Sequence, residues 1–216
     1  MKFCVIGVGR FGYDIAVTLA DNGMEVLAVD SNESIIASIR DKVTQAICMR
    51  IIDEDSLRTI GAEEMNTVIV AMGENFAQSI LVTALLKHRL KVPQVITRSI
   101  SDIHKDILQL IGADQVVLPE REVGRRLADT LSLPFKAIGR LSPNYCISEI
   151  TAPTKFIGYT IKDLQLPNAY NIICIGRKVG DDIVLIEEDH TVREGNILIC
   201  AGSIKDIAKV AKLATS

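Results

Sequence analysis

From Lys2 to Glu33 the chain reads KFCVIGVGRFGYDIAVTLADNGMEVLAVDSNE, and the hexapeptide GVGRFG occupies Gly7 to Gly12. An apolar, β-branched run precedes the glycines and a helical pattern follows them, so the segment predicts a strand, a tight turn and a helix. A second apolar run then ends at Asp30. This order of elements is typical of the first βαβ unit of a doubly wound parallel sheet.

The same alternation of short apolar runs and helical patterns continues to Pro119. Six strands are predicted, in the segments KFCVIGV, MEVLAVD, TQAICM, NTVIVAM, PQVITRS and DQVVLP. Because helical patterns separate all of them, the strands should be parallel and covered on both faces. We therefore predict an α/β fold, a Rossmann-type doubly wound parallel sheet, in residues 1–137.

Residues 138–216 are predicted to form a second, smaller α+β domain. The segment LPFKAIGRLSPNY, from Leu133 to Tyr145, contains two prolines and a glycine and predicts a linker. Beyond it, strands are predicted in YCISEITA, YNIICIGRK, DDIVLIEE and NILICAGS, and short helices in IKDLQL and SIKDIAKVAKL.

Composition excludes several classes of protein. The chain has 216 residues, a formal net charge of −3 and five cysteines, none in a CxxC pair. That charge argues against a nucleic-acid partner, and the cysteines are typical of a reduced, cytoplasmic protein. No apolar stretch reaches the length of about 18 residues that a membrane helix needs. The three histidines are far apart in sequence, so each is predicted to be solvated or capping and not a metal ligand.

The glycine turn predicts a nucleotide site. Gly7 permits the tight turn, Gly9 lets the backbone approach a phosphate, and Gly12 allows the helix to pack closely on the strand. The amino end of the helix then faces the phosphates, and Asp30 can accept hydrogen bonds from ribose hydroxyls. The alternative is that the glycines only form a turn and Asp30 only caps the next helix.

Three charged residues refine this hypothesis. Arg10 adds a cation and hydrogen-bond donors inside the turn, which we interpret as a reader of phosphate number. Glu120, just after the sixth strand, predicts either a Mg²⁺ ion that bridges to the phosphates or discrimination between phosphate states. The alternative is that it is only an acid favoured by the helix dipole. Arg98 either faces the ligand or caps the sheet. The predicted fourth strand ends at Ala71, Met72 and Gly73. Small residues at the end of this strand could admit the adenosine half of a nucleotide.

The sequence contains no recognisable catalytic motif. No YxxxK pair and no GxSxG elbow occur in the sequence. The balance therefore favours a sensor, and we predict that the chain is not an enzyme. An NAD-dependent oxidoreductase with an unrecognised catalytic group stays the alternative.

Several longer motifs carry a resemblance to a known family. In the first domain they are GVGRFG, LAVDSNE, VIVAMGEN and IGADQVVLPEREVGRRLA; in the second they are FIGYTIKDLQL and TVREGNILICAGS. On these motifs the whole chain resembles the cytosolic RCK regulatory subunits of Ktr/Trk-type bacterial potassium-uptake systems. A related alternative is the same module serving another transporter.

The resemblance implies a function and partners. It implies an amino-terminal domain that binds ATP, ADP or NAD(H), in homodimers that assemble into an octameric ring. The ring would lie at the inner face of the cell membrane, beneath a membrane potassium channel subunit, with ATP favouring conduction and ADP disfavouring it. Arg10 would then reach the γ-phosphate, and Glu120 would lie near that phosphate or its Mg²⁺ ion. The expected nucleotide-binding residues are Gly7, Val8, Gly9, Arg10, Phe11, Gly12, Asp30, Ser31, Arg50, Ile51, Ala71, Met72, Gly73, Arg98 and Glu120.

The chain departs from its relatives at two places. Arg50, Ile51 and Ile52 stand where relatives usually carry a small Asp/Asn-Ala-Thr element beside the adenine. In the second domain, some relatives bind cyclic di-AMP through an arginine whose position here holds Gln165, although Asn171 is retained. Cyclic di-AMP therefore stays a minor alternative ligand.

Overall fold

The computed structural model describes residues 1–73 and 75–213. Contacts between residues divide the chain into two compact units, the first from Met1 to Glu122 and the second beginning at Val123. No helix within the described residues is both long and apolar enough to span a bilayer. The predicted division after residue 137, which stays a prediction, falls inside a strand of the second unit.

The first unit is built on a six-stranded sheet in which every neighbouring pair is parallel. Its strands are β1 Lys2–Ile6, β2 Glu25–Asp30, β3 Gln45–Cys48, β4 Thr67–Val70, β5 Gln94–Arg98 and β6 Gln115–Val117. The helices are α1 Arg10–Asp21, α2 Glu33–Ile39, α3 Glu54–Thr59, α4 Phe76–His88 and α5 Asp102–Leu110. A sixth helix, α6 Pro119–Ser132, begins in this unit and continues past Val123 into the second. The strand order β3-β2-β1-β4-β5-β6 confirms the predicted Rossmann-type fold.

Alternating side chains of the central strands supply both faces of the sheet. In β1, Cys4 and Ile6 belong to one buried cluster, whereas Val5 belongs to another. The first cluster also contains residues of α3 and α4, and the second contains Ala16 of α1 and Ile39 of α2. Because both faces are covered, the buried positions of these strands are mostly apolar on both sides, and the carboxyl ends of the strands remain as the edge where a ligand can reach the backbone.

The second unit holds a five-stranded sheet with strand order β10-β9-β11-β8-β7. Its strands are β7 Lys136–Arg140, β8 Tyr145–Thr151, β9 Ile172–Val179, β10 Asp182–Leu185 and β11 Ile197–Ser203. Its helices are α7 Ile161–Leu164, α8 Leu166–Tyr170 and α9 Ile204–Lys212. All pairs in this sheet are antiparallel, and Ile207 and Val210 of α9 complete its core. The predicted α+β class is confirmed.

Two elements of the second unit correct the sequence analysis. The predicted linker contains β7, an edge strand paired with β8. Within β7 only Ala137 is partly buried, so this strand does not need alternating apolar residues. Its sequence, KAIGR, shows no such alternation, and the strand was therefore not predicted. The short helix α8 was also missed, because five residues are too few to show a helical period.

His104 differs from its prediction as well. It was expected to be solvated or capping, but it is 1% exposed and packs on the Phe76 ring. The Ile100 amide donates to its Nδ1 at 3.4 Å, and its Nε2 lies 2.8 Å from Ser79 Oγ. Burial lowers the pKa of His104, so the ring is neutral at pH 7 and joins α4 to α5 as a hydrogen-bonding core residue.

Candidate functional site

The glycines of GVGRFG are required by the shape of the corner between β1 and α1. Gly7 has a φ of 89°, and a Cβ there would lie 3.0 Å from the backbone nitrogen of Met72. A Cβ on Gly12 would lie only 2.0 Å from the carbonyl oxygen of Gly7. The helix therefore starts in contact with the strand end, and a side chain at either position would force the corner apart.

The amino terminus of α1 carries no protein cap. Within residues 1–73 and 75–213, no side chain accepts a hydrogen bond from its first turn, and the backbone N–H groups from Gly9 to Gly12 have no acceptor. In contrast, a side chain caps each of the next four helices, through Asn32, Asp53, Asn75 and Ser101. The first turn of α1 also lacks an acidic residue. These free donors and the helix dipole together suit an anion such as a phosphate.

Gly9 leaves that terminus open to solvent. A Cβ built on Gly9 would meet no atom within 4 Å, and its φ of −65° is one that any residue can adopt. The fold itself therefore does not need a glycine at this position. A close approach by a ligand would explain it.

Asp30 holds the glycine corner to the end of β2. Its Oδ2 accepts a hydrogen bond from the Val8 amide at 2.7 Å, and its Oδ1 accepts one from the Asn32 amide at 2.8 Å. Each carboxylate oxygen can accept a further bond, so a ribose hydroxyl can still be accommodated. The predicted ribose contact stays a prediction, and the bond to the corner is a role that the sequence analysis missed.

We expect Asp30→Asn to weaken the binding of every nucleotide by a similar factor. The amide has a single acceptor oxygen, so either the Val8 or the Asn32 N–H loses its partner, at a cost of about 1–3 kcal/mol. Calorimetric titration with ATP, ADP and NAD measures the effect. Asp21→Asn, at the carboxyl end of α1, is the matched control. Unchanged affinities for Asp30→Asn would refute this role.

Arg98, at the end of β5, brings together four of the predicted residues. Its Nη2 donates to Glu120 Oε1 at 2.5 Å, and its guanidinium carbon lies 5.8 Å from the centre of the Phe11 ring. A Cβ on Gly73 would lie 2.7 Å from Nη1, so the guanidinium passes directly over that glycine. The side chain therefore crosses the ends of β4 and β5 and does not merely cap its own strand.

One hydrogen-bond donor of Arg98 has no partner in the part of the chain that the structure describes, and the neighbouring Glu120 is ionised. Its Nε is buried and has no hydrogen-bond partner among the described residues. Glu120 accepts a bond from its own backbone N–H and lies beside Arg98, and these contacts lower the pKa of its carboxyl group. The carboxylate is thus ionised at pH 7. A divalent cation at this place would either share the Glu120 carboxylate with Arg98 or replace Arg98 as its partner. The predicted Mg²⁺ site stays a prediction.

The remaining predicted residues differ in how their side chains are placed. Arg10, the first residue of α1, is exposed and has no ion pair with any described residue. Ser31 and Arg50 are also exposed, after β2 and β3. Ile51 is 3% exposed and packs in the core, so only its backbone can face a ligand. Ala71 and Met72 pack against the glycine corner.

One further residue near the site was not predicted. Gln78, on α4, donates from its side-chain amide to the carbonyl oxygen of Ile51. This bond ties the loop after β3 to α4 beside the carboxyl edge of the sheet. A glutamine on a helix gives no sequence signal for such a contact, because the contact depends on how the loop folds.

Comparison with protein families gives two matches that account for most of the chain. Residues 3–119 match the TrkA-N domain, and residues 147–215 match the TrkA-C domain. The first match corresponds to the parallel sheet with helices α1 to α5, and the second covers most of the antiparallel unit.

Two curated relatives from one organism match over nearly their whole length. The chain is 33% identical over 213 residues to Ktr system potassium uptake protein C of Bacillus subtilis (strain 168), covering 98% of this chain and 96% of that protein. It is 35% identical over 211 residues to protein A of the same system and organism, covering 96% and 94%.

Solved structures share the fold. The crystal structure of the GsuK RCK domain aligns with a TM-score of 0.66 at 16% identity, over 100% of this chain and 48% of that chain. The GsuK channel bound to NAD aligns with a TM-score of 0.54 at 21% identity, over 99% of this chain and 38% of that chain. Such identities establish the architecture alone. The resemblance stated from the sequence is confirmed by the domain matches and the whole-length relatives: the chain belongs to the family of Ktr system potassium uptake proteins.

Proposed function

We propose that the chain is a cytoplasmic, nucleotide-sensing regulatory subunit of a membrane potassium-uptake system, and that it is not an enzyme. ATP, ADP or NAD(H) binds at the carboxyl edge of the first sheet. The single observation that carries this proposal is the uncapped amino terminus of α1, which lies at a corner whose shape requires glycines. A dinucleotide or a nucleoside polyphosphate is the ligand class that suits it.

The balance of charge at the corner supports a polyphosphate. Asp30 already accepts two backbone hydrogen bonds, and Glu120 is paired with Arg98. Both acidic groups are thus partly neutralised, whereas Arg10 is an exposed cation at the start of α1. The terminal phosphate of ATP would meet this guanidinium together with the free N–H groups. ADP, which has one phosphate fewer, would leave Arg10 without a ligand partner.

The family supports the choice of partner. Relatives that match nearly the whole chain are named as Ktr system potassium uptake proteins, so the partner is a potassium-transporting membrane subunit. The protein acts at the inner face of the membrane as a homodimer that assembles into an octameric ring. A nucleotide can shift such a ring between two shapes only if it binds them unequally, and contacts to the terminal phosphate supply that difference.

The test is a titration of the purified protein with ATP, ADP, NAD and NADH, with and without Mg²⁺, followed by calorimetry and by light scattering. At least one nucleotide should bind to saturation, and ATP and ADP should give particles of different size or shape. Mg²⁺ should increase the affinity for ATP. A folded protein that binds none of them would refute the proposal. Steady reduction of NAD in the presence of small alcohols or hydroxy acids would overturn the non-enzymatic part.

A further inference from the structure

Two cysteines lie directly opposite each other in the sheet of the second unit. Cys174 of β9 and Cys200 of β11 are paired in the antiparallel register, with a shift in register directly before Cys200. Opposite residues in such a pair have Cα atoms about 4.5–5.5 Å apart and project their side chains to the same face. A disulfide needs Cα atoms about 4.4–6.8 Å apart, so the backbone already satisfies this requirement.

The two thiols differ in exposure. Cys200 is 1% exposed in the core of the second unit, whereas Cys174 is half-buried and packs against that core from the side. The Cys200 thiol beside it lowers the pKa of Cys174, and the same contact together with burial raises the pKa of Cys200. Cys174 is therefore the more reactive and accessible thiol, and Cys200 is held next to it as a second reactant.

From this geometry we propose that Cys174 and Cys200 are a redox-sensitive modification site, in which a small-molecule disulfide converts the two thiols into a reversible cross-strand disulfide. This inference does not depend on the proposed nucleotide site. In a reducing compartment such pairs are usually transient and sense redox state.

The chemistry proceeds by two exchange steps. The Cys174 thiolate attacks one sulfur of the small disulfide, forms a mixed disulfide and releases one thiolate. Cys200 then gives up its proton, its sulfur attacks Cys174 Sγ, and the second small thiolate leaves. In total, two protein thiols are oxidised to one disulfide, and the small disulfide is reduced to two thiols. The bond fixes β9 to β11 and closes the segment of chain that contains β10.

A third cysteine in the same core provides the matched control. Cys146 of β8 is also 1% exposed, but it lies opposite Gly202, and the residue opposite Cys200 on β8 is Ser148. Cys146 is therefore only a diagonal neighbour of Cys200, at a separation too long for a disulfide without movement of the backbone. Cys146→Ser should leave the oxidation unchanged.

The experiment uses the full-length protein incubated with oxidised glutathione under native conditions. Free thiols are then alkylated, and the digested peptides are analysed by mass spectrometry. We expect a peptide linked through Cys174 and Cys200 in the wild-type protein and in Cys146→Ser, and its loss after treatment with dithiothreitol. In Cys200→Ser the mixed disulfide on Cys174 should accumulate, because no second thiol can resolve it.

Cys4 reports whether the protein stays folded during this reaction. It is fully buried in the first sheet, and burial raises the pKa of its thiol to about 12, so it should resist alkylation in the native protein. Three outcomes would overturn the proposal. The first is that glutathione remains on Cys174 beside a free Cys200, and the second is a link that involves Cys146. The third is that the cross-link forms only under conditions in which Cys4 is alkylated as fast as the cross-link forms, which would show that the protein had unfolded.

Discussion

Replacement of Gly12 by alanine is expected to abolish nucleotide binding and to destabilise the first unit by about 3 kcal/mol, at the upper end for an overpacked core. The new Cβ would lie 2.0 Å from the carbonyl oxygen of Gly7 and 3.1 Å from Cβ of Ala71. The first of these neighbours is backbone, so it cannot move aside as a flexible side chain could. Relief requires α1 to shift away from β1 and β4, which displaces the free N–H groups of its first turn.

Gly9→Ala separates the folding of the corner from the binding of a ligand. Its Cβ would meet nothing within 4 Å, so the variant should unfold at the same denaturant concentration as the wild type. It should still lose nucleotide affinity, because the methyl group would occupy the surface that a phosphate approaches. Denaturant unfolding and calorimetric titration of both variants test this pair. A stable Gly12→Ala, or a Gly9→Ala that binds normally, would contradict the geometry.

The second large effect is expected from Arg10→Ala, which should weaken ATP binding by a factor of about 10–150 and leave ADP affinity nearly unchanged. A hydrogen bond to a charged group contributes about 1.5–3 kcal/mol, which corresponds to that range. Arg10 is exposed and has no ion pair in the described part of the chain, so its removal should not disturb the fold. The ratio of the two dissociation constants is the quantity to measure.

Two variants sharpen the test of Arg10. Arg10→Lys keeps the charge but loses the planar guanidinium, so it should recover part of the preference for ATP. Arg40→Ala removes another exposed arginine, at the end of α2 and at the amino edge of the sheet, and should change neither affinity. Equal losses of ATP and ADP binding in Arg10→Ala would show that this residue does not distinguish the number of phosphates.

The first unit was predictable from the sequence because its signals are local. An apolar run before the glycines gives a buried strand, Gly7 has the positive φ of the tight turn, and Gly12 is required by its contact with the carbonyl oxygen of Gly7 in the same βαβ unit. The strand order follows from the repeated alternation of strands and helices, which leaves few right-handed topologies. The carboxyl edge, with the residues that precede each helix, could therefore be located from the sequence alone.

The contacts within the candidate site were harder to predict, because they depend on how distant residues meet. An acid at the end of β2 suits both a ribose contact and a bond to the Val8 amide, and nothing in the sequence distinguishes the two. Arg98 and Glu120 were each considered in isolation, although Arg98 ends β5, Glu120 follows the neighbouring strand β6, and the two form an ion pair. The pairing of Cys174 with Cys200 requires the register of the sheet, which a pattern of alternation does not provide.

The common direction of the six strands also has a practical use. The turn at Asn22 and Gly23 lies between α1 and β2, at the edge of the sheet opposite the glycine corner, and both residues are exposed. A fluorophore or an affinity tag inserted there would be separated from the corner by the full length of α1. Optical or immobilised assays of ligand binding can therefore be built on this turn without placing the label among the groups that they are meant to report.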